Sequence, residues 1–213
     1  MKPDSTENSK KGTNGRNVPS QKKPSQDLPT NHSEKGKFFL TSSEIEKVFK
    51  QLKKTRHPVR NHLMILMMYR HGFRVSELID VRMSDLDMDS HRIYVRRIKK
   101  GLSTHQPMNG DEVRALKRYL REVRLELGNS DYLFLNERKE PFSRKALNYM
   151  LENVSKKTGI RITPHMLRHS CGYYLADKGT DLRTIQDYLG HRDPKHTVIY
   201  TQIAGSRFNN LWG

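Results

Sequence analysis

The hydrophobic pattern is empty over residues 1–36 and starts sharply at Leu40. Ser, Asn, Lys, Pro and Gly fill that first stretch, and almost no apolar side chain is available to offset the entropy of ordering it. A disordered, basic, polar tail is predicted. At the boundary, Thr41 and Glu44 have the spacing of a capping box, with Leu40 and Ile45 placed as its hydrophobic staple. Ile45, Val48, Phe49 and Leu52 then recur with helical spacing along one face. A second helix, roughly Val59–His71, is apolar nearly all round and should be central, with Gly72 placed to end it. Its methionines, Met64, Met67 and Met68, read as core filler.

Arg74 to Leu78 begins another short helix. The period then changes. Arg92 to Ile98 alternates and is rich in β-formers, Lys99, Lys100 and Gly101 read as a turn, and the chain returns through Thr104 to Met108. A small antiparallel sheet with a basic hairpin tip follows, between about Asp85 and Met108. Asp111 to Gly128 carries a helical stripe of Val113, Leu116, Leu120, Val123 and Leu127. Tyr132 to Leu135 is a short extended piece, and Ser143 caps a helix that Gly159 ends. Thr163 and Pro164 open the next helix as N-cap and first helical residue. Gly179 and Asp181 separate it from a shorter helix ending at Gly190, and Pro194 starts the segment that bears Tyr200. The expected fold class is mainly α with a small antiparallel β-sheet (α+β). It comprises a single domain over residues 37–213 behind the tail.

Composition sharpens the picture of partners. The 213 residues carry a formal net charge of +17, which favours a polyanion, most simply nucleic acid. Cys171 is the only cysteine, so no intrachain disulfide forms, which fits a reducing cytoplasm. The N-terminus lacks the apolar core of a secretory signal. The longest apolar run, around Leu63 to Tyr69, is far too short to span a bilayer.

The candidate chemistry concentrates in residues 164–200, PHMLRHSCGYYLADKGTDLRTIQDYLGHRDPKHTVIY. His165 and Arg168 are three apart on one helix and share a face. Leu-Gly-His follows at His191, and Tyr200 comes nine residues later. A phosphodiester is an anion, and guanidiniums relieve the repulsion that a nucleophile meets there. Arg168 is one candidate clamp, and Arg74, in HGFRVSEL, is a second, with Glu77 one helical turn away to buttress it. Tyr200 is a candidate nucleophile. A phenol, with a pKa of about 10, needs a base or a positive field to attack at neutral pH. His165 could take its proton or relay it, and His191 could donate to a phosphate oxygen. The departing 5′ oxygen needs a general acid, a task that suits a lysine at the hairpin tip. Lys99 and Lys100 stand there, and backbone-phosphate contacts are the alternative role for both. This chemistry calls for neither a metal nor a cofactor.

Three other readings stay open on these residues. LADKGTDLRTIQDYLGH has the helix, glycine turn and helix of a DNA-binding helix-turn-helix. His165 and His169 have the spacing of a zinc pair, but Met166 stands where a zinc protease needs glutamate. In that reading's absence His169 packs or hydrogen-bonds beside Arg168. A type IB topoisomerase would use the same active groups to nick and reseal.

HGFRVSEL, the hairpin lysine, HMLRH, LGH and the late tyrosine together resemble the tyrosine recombinases, or phage-integrase-type recombinases. The resemblance covers about residues 38–212. It implies a catalytic set of Arg74, Lys99, His165, Arg168, His191 and Tyr200, with Tyr200 forming a 3′-phosphotyrosyl bond and leaving a free 5′-OH. The ester keeps the bond energy, so rejoining needs no ATP. Lys99 is preferred to Lys100 as the acid by counting back from Pro107 in the returning strand. Most members carry a separate helical core-binding domain, and only the polar tail precedes Thr41 here. That layout, with MYRHGFRVSEL, RRIKKGLSTHQP and RFNNLW, is similar to the fimbrial phase-variation recombinases, which invert a promoter-bearing DNA segment. The implied partners are double-stranded DNA at inverted recombination sites, a homotetramer on that DNA, and DNA-bending accessory proteins. The implied setting is the bacterial cytoplasm, at the nucleoid. Phe208, Leu211 and Trp212 lie beyond the nucleophile, to dock on a neighbouring protomer or to pack on their own domain.

Overall fold

The structure is a computed structural model and describes residues 37–98 and 101–203. The polar tail, Lys99 and Lys100, and the apolar trio Phe208, Leu211 and Trp212 lie outside the described residues. The described chain is mainly helical with one small antiparallel sheet, as the periodicity implies.

Helix α1 (Ser42–Leu52) begins with the predicted capping box. The Glu44 amide donates to Thr41 Oγ1, and the Thr41 amide donates to Glu44 Oε2 at 2.9 Å. Leu40 and Ile45, the two staple residues, are both buried. Helix α2 (Pro58–His71) is the central element and packs against α1, α4 and α6. Leu63, Met64, Ile65, Met67 and Met68 are all wholly buried, which is why it is apolar on every side. Gly72 ends it in the left-handed conformation (φ 58°). Helix α3 (Val75–Ile79) follows at once.

The sheet has strands β1 (Leu86–Asp87), β2 (Arg92–Val95) and β3 (Thr104–Pro107) in the order β1-β2-β3, with Ile93 opposite Gln106 and Val95 opposite Thr104. Strand β2 is shorter than the alternating run Arg92–Ile98. Pairing stops at Val95 because Arg97 turns its guanidinium into the protein, bonding to helix carbonyls and to Glu77.

Helix α4 (Gly110–Tyr119) also departs from its predicted length. The apolar stripe continues to Leu127, but the chain widens into a π-turn at Leu120–Arg124 and tightens into a 3₁₀ turn at Leu125–Leu127. Arg124 accounts for this. It is buried and donates to the carbonyls of Gly128, Ser130 and Tyr132, which fastens the turn to the following loop. Helices α5 (Arg144–Thr158), α6 (Pro164–Asp177), α7 (Leu182–Leu189) and α8 (Lys195–Ile203) complete the domain. Ser143, Thr163 and Asp181 each accept a backbone N–H at the start of α5, α6 and α7, the first two as the sequence predicts.

The core has two parts. The larger lies between α1, α2, α4, α5 and the sheet. The smaller consists of Cys171, Ala176, Ile185, Leu189 and Tyr200, beneath α6, α7 and α8. The candidate nucleophile is therefore part of a small hydrophobic core. The candidate arginines sit where the two parts meet.

Candidate active site

The site starts from the turn that joins α2 to α3. The left-handed Gly72 reverses the chain, which brings Arg74 to the N-cap of α3. The Arg74 amide donates to Glu77 Oε2 at 2.9 Å, and Arg74 Nη1 donates to Glu77 Oε1 at 2.6 Å. The Glu77 side chain is fully buried, and Arg74 keeps a quarter of its side chain exposed. The predicted buttress is thus present, and Arg74 extends from it toward solvent.

Arg168, on α6, is 4 % exposed. Its Nη1 donates to the Gly72 carbonyl, its Nη2 donates to the Leu189 carbonyl at 2.6 Å, and it stands 4.0 Å from Glu77 Oε2. Burial, and then the nearby Arg97 and Arg74, lower its pKa to about 10, so it stays charged at neutral pH. Burial alone would push the Glu77 carboxyl up. Arg97 and Arg74 outweigh burial and hold it below the usual range, so it is ionised.

His191 follows the left-handed Gly190 that ends α7. Its Nδ1 lies 2.9 Å from Thr197 Oγ1 on α8, and Thr197 is fully buried. Arg74, His191, Arg192 and His196 line one open cleft, with Asp193 its acidic member. A cleft with this lining suits an anion. Burial, together with Arg168 and Arg74, pushes His191 down to about 3, so it is neutral at physiological pH.

Tyr200 is 1 % exposed and lies parallel to the His191 ring, 6.2 Å away. Its ring rests on α6 at Gly172, where any Cβ would fall 2.5–2.7 Å from ring carbons. Its hydroxyl is 2.9 Å from His169 Nδ1. Burial raises the phenol pKa, and Arg168 and Arg74 only partly oppose this. Burial, His165 and Arg168 push His169 down to about 4. The segment before α1 helps to cover this histidine. Phe38 packs edge-on against the His169 ring at 5.4 Å, Phe39 stacks on Tyr173 at 4.1 Å, and the Leu40 amide donates to Ser170 Oγ at 2.8 Å.

The fold brings together Arg74, Glu77, Arg168, His191 and Tyr200 from α3 with its N-cap, α6, α8 and the loop after α7. His165 lies exposed in the first turn of α6, one helical turn before His169. Lys99 is outside the described residues. Sequence reasoning missed two residues. His169, rather than His165, meets the Tyr200 hydroxyl. Arg97, given no role by the sequence beyond its place in the alternating run, has a fully buried side chain paired with Glu77 at 2.8 Å. A signal existed for Arg97, since it shares the inward register of Ile93 and Val95.

Comparisons with known proteins point the same way. The phage integrase family profile matches residues 38–207. The type 1 fimbriae regulatory protein FimB of Escherichia coli strain K12 is 42 % identical over 182 residues, covering 84 % of this chain and 90 % of that protein. The crystal structure of XerA recombinase matches with a TM-score of 0.69 at 31 % identity, over 79 % of this chain and 61 % of that one. XerH site-specific recombinase, bound to palindromic difH substrate in a post-cleavage complex, matches with a TM-score of 0.68 at 25 % identity, over 85 % of this chain and 52 % of that chain.

Proposed function

The chain belongs to the phage integrase family, and from that premise we propose that it is a site-specific DNA recombinase that inverts a promoter-bearing segment through a 3′-phosphotyrosyl intermediate. The observation that carries the chemistry is the Tyr200 hydroxyl, hydrogen-bonded to a neutral histidine beside two clustered arginines. The 42 % identity to a type 1 fimbriae regulatory protein, over 90 % of that protein's length, supports inversion as the outcome.

In this reading Arg74 and Arg168 bind the non-bridging oxygens of the scissile phosphate, and their positive charge stabilises the negative charge that builds in the transition state. The Tyr200 oxygen forms a bond to phosphorus, and the bond from phosphorus to the 5′ oxygen breaks. The phenolic proton passes to His169 Nδ1, and Lys99 supplies a proton to the departing oxygen. His191 donates to a non-bridging oxygen, and His165, exposed above the site, faces the DNA. Rejoining reverses these steps with a different 5′-hydroxyl, so the reaction needs no external energy source. Inversion exchanges strands between two inverted sites, which requires four protomers on double-stranded DNA, with DNA-bending proteins aiding the pairing. Among the described residues no helix is long and apolar enough to cross a membrane. The proposed place of action is the bacterial chromosome in the cytoplasm.

The helix-turn-helix reading accounts for α6 and α7 but not for a tyrosine held against histidine beside an arginine pair. A nicked suicide duplex library with a randomised core tests the proposal. DNA captured covalently identifies the site, and peptide mapping identifies the attached residue. An adduct at Tyr200, lost in Tyr200→Phe with DNA binding intact, is the expected result; an adduct elsewhere overturns it.

A further inference from the structure

We propose that Arg97 is a positioning residue for the phosphate clamp, an inference that rests on the recombinase reading above. Arg97 follows β2 on the inward register of Ile93 and Val95, and its side chain is fully buried. Its Nη1 donates to Glu77 Oε2 at 2.8 Å and to the Gly72 carbonyl at 3.3 Å. Its Nη2 donates to the His71 carbonyl at 2.8 Å and to the Tyr188 carbonyl at 2.7 Å. Four acceptors from the end of α2, from α3 and from α7 thus converge on one guanidinium.

Three of these acceptors also bear on members of the site. Glu77 holds Arg74 through its other oxygen, at 2.6 Å. The Gly72 carbonyl accepts from Arg168 as well as from Arg97. Tyr188 lies in the last turn of α7, just before Gly190 and His191. Gly190 has a left-handed backbone (φ +64°), and a Cβ there would stand 2.7 Å from Arg97 Cγ, so the chain leading to His191 rests directly on this side chain. Arg97 therefore shares one anchor with each arginine of the clamp and supports the chain that carries His191.

Stability alone gives a weak reason for this arrangement. Taking a guanidinium wholly out of water costs several kcal/mol, and an apolar residue of similar volume often serves a core as well or better. The cluster also sets three guanidiniums around one carboxylate, which leaves an excess of positive charge. That excess is unfavourable in the resting protein and favourable once a phosphate sits on Arg74 and Arg168. Placing the clamp within a fraction of an ångström is the task that repays the desolvation.

The test uses the full chain and the duplex selected above, in three versions at the scissile position. These are the ordinary phosphodiester, a neutral methylphosphonate, and a 5′-bridging phosphorothiolate whose thiolate leaves without a general acid. Arg97→Gln should slow cleavage of the ordinary linkage about 10²-fold, and the defect should shrink about tenfold or more on the methylphosphonate, which places less demand on the clamp. The defect should persist on the phosphorothiolate, and Arg97→Lys should fall between the two. An equal defect on all three linkages means a loss of folded enzyme and overturns the proposal. So does rescue by the phosphorothiolate, which would mean that Arg97 serves the acid at the hairpin tip instead. Unimpaired cleavage overturns it as well. If Arg97→Gln does not fold, by thermal unfolding, the same ratios are read from Arg97→Lys. Failure of the recombinase reading looks different, because the wild-type chain would then form no adduct at Tyr200.

Discussion

Gly172 and Tyr200 are in a contact that only glycine permits: a Cβ at position 172 would fall 2.5–2.7 Å from three ring carbons of the tyrosine. The ring is fully buried and cannot yield cheaply. Gly172→Ala gains up to about 1 kcal/mol of helix propensity in α6. It loses about 1–3 kcal/mol to overpacking. The net is a loss of up to about 2 kcal/mol, so the thermal midpoint should fall by several degrees at most while the protein stays folded. Cleavage should fall steeply because the ring is pushed off its seat. Adduct formation on the suicide duplex, measured beside thermal unfolding, checks this. Full activity at unchanged stability would mean that the seat does not determine where the nucleophile stands.

The two half-buried histidines of the site predict a pH dependence of stability. His169 is pushed down to about 4 and His191 to about 3, against an ordinary value of 6.5. As pH falls below 6.5 the unfolded chain binds protons at these positions and the folded chain does not. Stability is therefore full above about 6.5, and it is lost as pH falls toward about 4 for His169 and about 3 for His191. The slope is at most about 1.4 kcal/mol per pH unit for each histidine. Urea midpoints between pH 7 and pH 5 should decline, and His169→Gln should flatten that decline. Phe38→Ala should raise the His169 pKa toward its ordinary value by exposing the ring, as read by NMR titration.

The elements were legible from sequence wherever one local rule decided them. Thr41 with Glu44, Ser143, Thr163 and Asp181 start their helices by side-chain capping, and Gly72, Gly159 and Gly190 end theirs with positive φ. Non-local features were not legible. The stripe from Val113 to Leu127 has no mark for the π-turn, because that turn depends on Arg124 reaching carbonyls in the following loop. Arg97 gave two conflicting signals, a charged side chain on an inward register, and its partner Glu77 lies twenty residues away. For His169, one turn beyond His165, the helix period leaves open which of the two faces Tyr200. Only the position of α8 settles it.

Glu77 is the carboxylate that Arg74, Arg97 and Arg168 approach together, at 2.6, 2.8 and 4.0 Å. Glu77→Gln keeps the shape and removes the charge, leaving buried guanidiniums without it. Breaking a buried pair in this way costs about 3–5 kcal/mol, so the thermal midpoint should drop and cleavage should fall with it. Inorganic phosphate should then restore more of the midpoint in Glu77→Gln than in the wild type, because a bound anion replaces the lost charge. Equal shifts in the two proteins would show that the cluster does not hold an anion.

His169 and His165 should separate cleanly. His169 Nδ1 is 2.9 Å from the Tyr200 hydroxyl, and the ring is neutral above about pH 5 because its pKa lies near 4, so it can receive the phenolic proton. His165 is exposed, and in the proposed reading it faces the DNA rather than the phenol. His169→Gln should therefore slow cleavage at saturating DNA by about 10²-fold or more, with equilibrium binding unchanged. Glutamine keeps a hydrogen bond to the hydroxyl and cannot take its proton, so the loss reports proton transfer rather than misplacement. His165→Gln should weaken the response to DNA concentration as well as the maximal rate, through a lost phosphate contact. If His169→Gln cleaves at the wild-type rate while His165→Gln is silent at saturation, the proton leaves Tyr200 by another route. The hydrogen bond at position 169 would then only anchor the ring.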